Sequence, residues 1–242
     1  MPTYEYFLVI SMKLATFIHS LMKEVKDKAA DYHKVYDSSF KEFFIKQHYL
    51  VPFVFYLPVS FFLLFKSFVV KRVSLLHLLW MIPLISKFWG YLEYFLHQNV
   101  LHENEEMKID PGTIREFHEI HHNFPNDPYR FVVPLWASVP SGLVFYSVCR
   151  TALGKEKGET LFGLMILYYL FYEFTHIAAH KYDIRHPFFE KTKKHHLKHH
   201  YLDSDKGFGF TSTHWDEING LAFSTPQKRS SKSKTAQKAS AE

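Results

Sequence analysis

The chain predicts an all-α integral membrane fold, with four transmembrane helices in two hairpins and a cytosolic helical cap holding a histidine-rich dinuclear metal site. Three observations predict it. Apolar residues gather into four long runs, at 49–70, 73–101, 131–149 and 161–180. Ten of the seventeen histidines fall in clusters between residues 97 and 200. Three of those clusters keep helical spacing, which puts side chains at i, i+3 and i+4 on neighbouring positions of one face.

The first 48 residues form a cytosolic or interfacial segment. Phe7, Ile10, Leu14, Phe17, Leu21 and Val25 recur at helical spacing, followed by Lys23, Lys26 and Lys28. That pattern suits an amphipathic helix on a membrane surface or one packed on the protein's own body. Glu5 and Lys13 argue against a signal peptide. Residues 49–224 form the membrane-embedded domain. The 49–70 run holds one charge, Lys66, and is long enough for a bilayer core of about 30 Å. The 73–101 run would reach roughly 43 Å as a helix, so its tail with Glu93, His97 and His102 emerges into water or an internal cavity. Residues 103–130 are polar, with Pro111-Gly112 as a turn signal. Residues 131–149 and 161–180 are the third and fourth spans, and 150–160 connects them. From residue 225 to 242 the chain is Ser, Lys and Ala without apolar pattern, a disordered basic tail.

Four spans bring every histidine cluster to one membrane face. That face, with the termini, carries 22 Lys and Arg against six in the opposite turns. The positive-inside rule then makes it cytosolic. This places the chain as a multi-pass membrane protein, in the endoplasmic reticulum if eukaryotic and the inner membrane if bacterial. No nucleic-acid partner is expected.

The clusters are His97/His102, His118/His121/His122, His176/His180 and His196/His199/His200. In the last, all three rings should leave from one helix face as half of a coordination shell. Close imidazoles repel when protonated, and a bound metal holds them neutral. Cys149 is the sole cysteine, so ligation rests on histidine. Ten imidazoles exceed one zinc ion and suit two ions of about five ligands each. Phe117 to His122 also contains a His-Glu-x-x-His match with Glu119 as would-be base, but that reading leaves the other clusters unused. A nitrogen-rich, redox-capable pair points to non-haem iron and dioxygen, and zinc could occupy the same ligands. His195 should point about 100° from His196 and stay off the metal. His97 and His102, about 140° apart on an α-helix, need a break or bulge near Gln98-Asn99 to share one ion. His19, His33, His48, His77, His186 and His214 read as structural.

Residues 88–220 resemble the fatty acid hydroxylase/sterol desaturase superfamily, nearest its fatty acid 2-hydroxylases of sphingolipid acyl chains. The resemblance rests on Glu93-Tyr94 before His97-x4-His102, on His118-x2-His121-His122, on His176-x3-His180 and on His196-x2-His199-His200. Two stretches narrow it to the 2-hydroxylase branch: Pro125 to Arg130, and Lys206 to Ser212. Gln98, Glu119-Ile120, Glu173 and Asn219 depart from the usual pattern. The resemblance implies a di-iron, O2-dependent lipid monooxygenase acting at carbon 2 of an acyl chain. No His-Pro-Gly-Gly haem motif is present, so electrons would come from a separate cytochrome b5-type donor and its reductase. Glu173 and Tyr201 adjoin the clusters and could orient ligands or a lipid headgroup. Tyr94, Phe95, Leu96, Tyr172, Phe174 and Ile177 would lie between bilayer and metal, or form an interfacial belt. A sterol-acting relative, another lipid oxidase or desaturase, and a non-catalytic metal binder stay open.

Overall fold

A computed structural model of the chain describes residues 32–69, 74–102 and 112–223. Its regular elements are α1 (Ser39–Ile45), α2 (Val51–Val69), α3 (Leu75–Leu96), a π-helical turn (His97–Leu101), α4 (Thr113–Asn123), α5 (Leu135–Lys181), α6 (Pro187–Tyr201) and α7 (His214–Ile218). No strand occurs among the described residues. The Phe7–Val25 pattern and the 225–242 tail lie outside them.

The 47 residues of α5 are two arms, because Gly154 breaks the helix with φ 77° and ψ 167°. The arms then lie side by side. The Tyr146 and Phe162 rings are 5.2 Å apart, and Cys149 Sγ is 4.0 Å from Met165 Sδ. A side chain at Gly158 would run into the Cys149 carbonyl. The expected connection at 150–160 is therefore mostly helix. Ala152, Leu153, Lys155, Glu156 and Lys157 all favour helix, and the reversal needs one residue at positive φ, where glycine is at ease.

The second arm is the packing centre. On one side, α2 sets Tyr56 and Leu63 against Ile166 and Leu170. Ser60 Oγ donates to the Gly163 carbonyl at 2.8 Å, and a Cβ on Gly163 would stand only 3.2 Å from Leu63 Cβ. On the other side, Ile85 of α3 meets Cys149 and Met165. Lys66, the charge within α2, pairs with the buried Glu159 at 2.9 Å. Pairing is what allows charges to stay in an apolar setting.

Among the described residues, α2 and α5 are long and apolar enough to cross a bilayer. Their outward faces are apolar too, with Val54, Phe61, Phe62, Phe65, Leu143 and Val144 exposed. Water-soluble monomers rarely leave so much contiguous apolar surface uncovered. Such a surface suits contact with lipid, as in a membrane protein.

The other helices gather where the arms of α5 begin and end. Ile45 of α1 packs on Phe117 and Ile120 of α4. Glu42 of α1 is buried and accepts from the Tyr36 N–H at 3.0 Å, from Tyr32 Oη, and from Arg130 Nη2 at 2.5 Å. Burial works against its charge, but these donors outweigh it and hold the carboxyl below its ordinary pKa. Arg130 is fully buried, and its Nη1 also donates to the Ile45 carbonyl. Residues 32–48 are thus fastened to the 124–133 loop, which leads into α5.

Candidate metal centre

The ten clustered histidines meet in two groups of five. His97, His102, His118, His122 and His199 form the first, and His121, His176, His180, His196 and His200 the second. Within each, the candidate ligand nitrogens all lie within 4.8 Å of one another.

The expectation that one helix face delivers a triplet to one ion needs correction. His118 and His122 go to the first group and His121, between them, to the second. His196 and His200 go to the second and His199 to the first. The reason is angular. Residues i and i+4 lie about 40° apart on a helix, whereas i+3 and i+4 differ by about 100°. Each triplet forms a stripe broad enough to straddle two ions.

His97 and His102 share the first group, with ring centroids 5.0 Å apart. The α-helix gives way at His97 to the π-helical turn His97–Leu101, and the His102 N–H donates to the His97 carbonyl at 3.0 Å. The wider turn brings the two rings together, the first of the two ways an α-helix could accommodate the five-residue spacing, the other being rings that serve different positions.

The nitrogen contacts call for a cation. His97 Nδ1 lies 2.7 Å from the Phe208 carbonyl, and His199 Nδ1 lies 2.7 Å from the Lys206 carbonyl. A carbonyl only accepts, so both rings carry their proton on Nδ1 and present an Nε2 lone pair. Those lone pairs face His118 Nε2 and His102 Nε2, each at 3.0 Å. His118 Nε2 also stands 3.1 Å from both His102 Nε2 and His122 Nε2. A neutral ring nitrogen carries either one N–H or one lone pair, so His118 Nε2 cannot bond to three ring nitrogens at once. In the second group, His196 Nε2 is 2.8 Å from His180 Nε2 and 3.0 Å from His200 Nε2, and both His121 nitrogens are buried without a partner. Nitrogens about 2.0–2.1 Å from one ion and at right angles to each other would sit about 3 Å apart. The residues fit a metal ion in each group.

Burial, reinforced by neighbouring imidazoles, keeps the rings neutral. His118 and His121 are held well below the ordinary histidine value. His122 falls to about 3 and His102 to about 2 for the same reasons. Neutral imidazole is the form a metal requires.

The surrounding aromatic rings divide between the groups. Phe208 stands edge-on to His97, His102 and His199, and Phe210 to His176 and His196. A cavity touches both groups, at His97 and His118 and at His121, His176 and His196. Its other walls include Phe117, Phe131, Val132, Trp136, Ala137, Tyr172 and Phe210.

Other expectations fare variously. Glu173 is fully buried but bonds to backbone: its Oε1 accepts the Val133 N–H at 3.1 Å. Val133 is two residues from Phe131, whose carbonyl is 2.7 Å from His176 Nδ1. Tyr201 is 65 % exposed and does not line the cavity, since it points about 140° around α6 from His196, the residue of that helix that does. Of the six aromatic and apolar residues expected between bilayer and metal, only Tyr172 lines the cavity. Phe174, about 200° from it on the helix, packs on Phe189 instead. His195 lies outside both groups, with Nε2 3.2 Å from Asp216 Oδ2. His186 accepts the Phe188 N–H at the start of α6, and His48 accepts the Leu50 N–H. His33 stacks on Phe124. His19 and the side chain of His77 lie outside the described residues.

A family profile described as fatty acid hydroxylase matches residues 82–220. The chain belongs to the fatty acid hydroxylase family. Among relatives, it is 32 % identical over 141 residues to a dihydroceramide fatty acyl 2-hydroxylase of Arabidopsis thaliana, covering 58 % of this chain and 60 % of that one. It is 34 % identical over 135 residues to a ceramide very long chain fatty acid hydroxylase of Saccharomyces cerevisiae, covering 54 % and 35 %. The matches thus span from about a third to three fifths of these hydroxylases. A solved structure of full-length scs7p, with only its hydroxylase domain visible, superposes with a TM-score of 0.68 at 28 % identity, covering 77 % of this chain and 70 % of that one. The matched family region contains all ten clustered histidines and both loops whose carbonyls hold His97, His176 and His199.

Proposed function

We propose that this member of the hydroxylase family is a membrane-bound, O2-dependent fatty acid 2-hydroxylase. Its substrate would be the acyl chain of a sphingolipid, a ceramide or a free fatty acid. The reading rests above all on one observation: two five-histidine groups open onto one cavity whose walls are otherwise largely apolar. The names of the relatives supply the substrate class and the position of attack.

The reaction replaces one C–H bond at carbon 2 with C–OH. The second atom of dioxygen leaves as water, with two protons and two electrons from outside the chain. A separate cytochrome b5-type protein with its reductase is the proposed donor. Two iron ions would be held by the ten histidines, and when bound they supply the power to reduce and cleave dioxygen. Zinc could take the same ligands without supporting turnover.

The chain's own residues do the rest. The Phe131, Lys206 and Phe208 carbonyls hold Nδ1–H of His176, His199 and His97, which leaves each Nε2 free to bind. Phe208, edge-on to His97, His102 and His199, and Phe210, edge-on to His176 and His196 in the cavity wall, would help keep water from the reacting atoms. Pro134, Trp136 and Ala137, at the start of α5, form one side of the cavity. Trp136 Nε1 donates to the Phe44 carbonyl of α1 at 2.6 Å, and the adjoining Phe40 and Phe43 are exposed. An acyl chain that enters past these groups keeps its tail in apolar surroundings and brings its head end to the histidines.

Four membrane crossings fit this arrangement: α2, α3 and the two arms of α5. The histidine face would be cytosolic, in the endoplasmic reticulum of a eukaryote. The test is regiochemistry. Acyl chains deuterated at carbon 2 or at mid-chain are supplied to cells with and without the protein. Loss of deuterium at carbon 2 alone, with a gain of one oxygen, is expected. Loss at mid-chain would indicate desaturase-type chemistry. Oxygen added to a sterol, or no oxygen consumed, would favour a sterol-acting relative or a metal binder without turnover.

A further inference from the structure

The loop from Lys206 to Thr211 supplies both carbonyls that hold the first group, Lys206 to His199 and Phe208 to His97. Two buried carboxylates grip that loop. Glu93 of α3 accepts the Phe210 N–H and, at 2.7 Å, the Thr211 N–H on Oε1, while Thr211 Oγ1 donates to its Oε2 at 2.6 Å. Asp216 of α7, itself fully buried, accepts the Phe208 N–H on Oδ1 at 2.8 Å and the Gly209 N–H on Oδ2 at 2.9 Å. His195 approaches the same Oδ2 at 3.2 Å. The loop's glycines permit the grip. Gly207 has φ 74°, and a Cβ on Gly209 would meet the Asp216 carboxylate at 2.7 Å. Neither carboxylate belongs to either histidine group.

We propose that Glu93 and Asp216 are positioning residues for the first metal position alone, acting through the Lys206–Thr211 carbonyls to fix the orientation and protonated nitrogen of His97 and His199. This rests on the two-ion reading above. The second group takes its carbonyl support from Phe131, on the separate 124–133 loop that Arg130 and Glu42 fasten. The two supports have no residue in common.

The experiment is a Co2+ titration of the purified full chain in lipid nanodiscs, followed by the visible absorption of the bound ion. Wild type should take up two ions. Glu93→Gln and Asp216→Asn keep size and burial but remove acceptors. Each should weaken one binding step by about 10–100-fold and leave the other within about twofold. Thr211→Val removes one of the three bonds to Glu93 and should shift the same step by a smaller factor, a readout that holds if the carboxylate variants fold poorly. Combination with His176→Ala isolates the first position, and there the loss from Glu93→Gln should persist. Combination with His118→Ala isolates the second, and there it should vanish. Equal weakening of both steps, or of neither, overturns the proposal while leaving the two-ion reading intact. Fewer than two ions bound by wild type overturns both.

Discussion

The two histidine groups differ in what stands behind the rings. In the first, His97 and His199 are both held through Nδ1 by carbonyls of one loop, and that loop is gripped by Glu93 and Asp216. In the second, His176 is held by the Phe131 carbonyl, while Nδ1 of His180, His196 and His200 are buried without partners among the described residues. A ring fixed at one nitrogen presents the other in a set direction, so less order is lost when an ion arrives. Two groups with the same five-imidazole composition therefore need not bind alike. The first should hold its ion more tightly and release it later to a chelator.

Breaking each group in turn should give the largest effects. His118→Ala and His121→Ala are expected to lose different ions, and both should lower the proposed 2-hydroxylation by more than the roughly 100-fold that loss of an outer partner can cost. Elemental analysis together with lipid mass spectrometry checks this. If either variant keeps two ions, the division into groups fails.

Removing the fastening of the second group's support comes next. Arg130→Met leaves Glu42 and Asp127 without their buried cation, and breaking a buried pair this way costs about 3–5 kcal/mol. Thermal unfolding should show the loss, and Co2+ binding at the second position should weaken more than at the first.

Acid should destabilise the metal-free protein. The buried rings have folded-state values below the ordinary 6.5: about 4 for His199, where burial leads, and about 3 for His122. Depressed values mean that the unfolded chain binds protons which the folded one refuses. The contribution is complete above about pH 6.5 and is lost as pH falls toward those folded values. Unfolding temperature of the metal-free chain should therefore drop between pH 7 and 5, and bound metal should flatten that drop. A rise on acidification would contradict the neutral, buried assignment.

The smallest effects separate support from neighbourhood. Tyr201→Phe should leave metal content and activity within about twofold, since its ring is mostly exposed. His195→Ala removes a single contact to Asp216, which keeps both backbone donors. It should cost far less than Asp216→Asn, and comparable losses in the two would shift the weight of the clamp onto the imidazole.

Much of the site was legible along the chain because helical spacing and burial leave marks in one dimension. The ten histidines, the apolar runs and the strain of the His97–His102 spacing are all local. The loop motifs at 125–130 and 206–212 were visible as stretches of family resemblance. Their work was not, because a carbonyl has no sequence signature and Glu93 reaches the loop across more than a hundred residues. Glu42 and Asp216 escaped notice for the same reason. The reversal at Gly154 was blurred into an eleven-residue connection because its flanks are good helix formers.

By itself the sequence determined that this chain is helical, rich in apolar surface and supplied with enough imidazoles for two ions, since composition and periodicity set those properties locally. The tertiary structure alone decided which histidine serves which group. His121 and His122 adjoin in sequence yet diverge by about 100° on α4, and each finds its partners on other helices. A ligand set is closed by the meeting of several helices, and the angle at which they meet is a property of packing, not of any one stretch of chain.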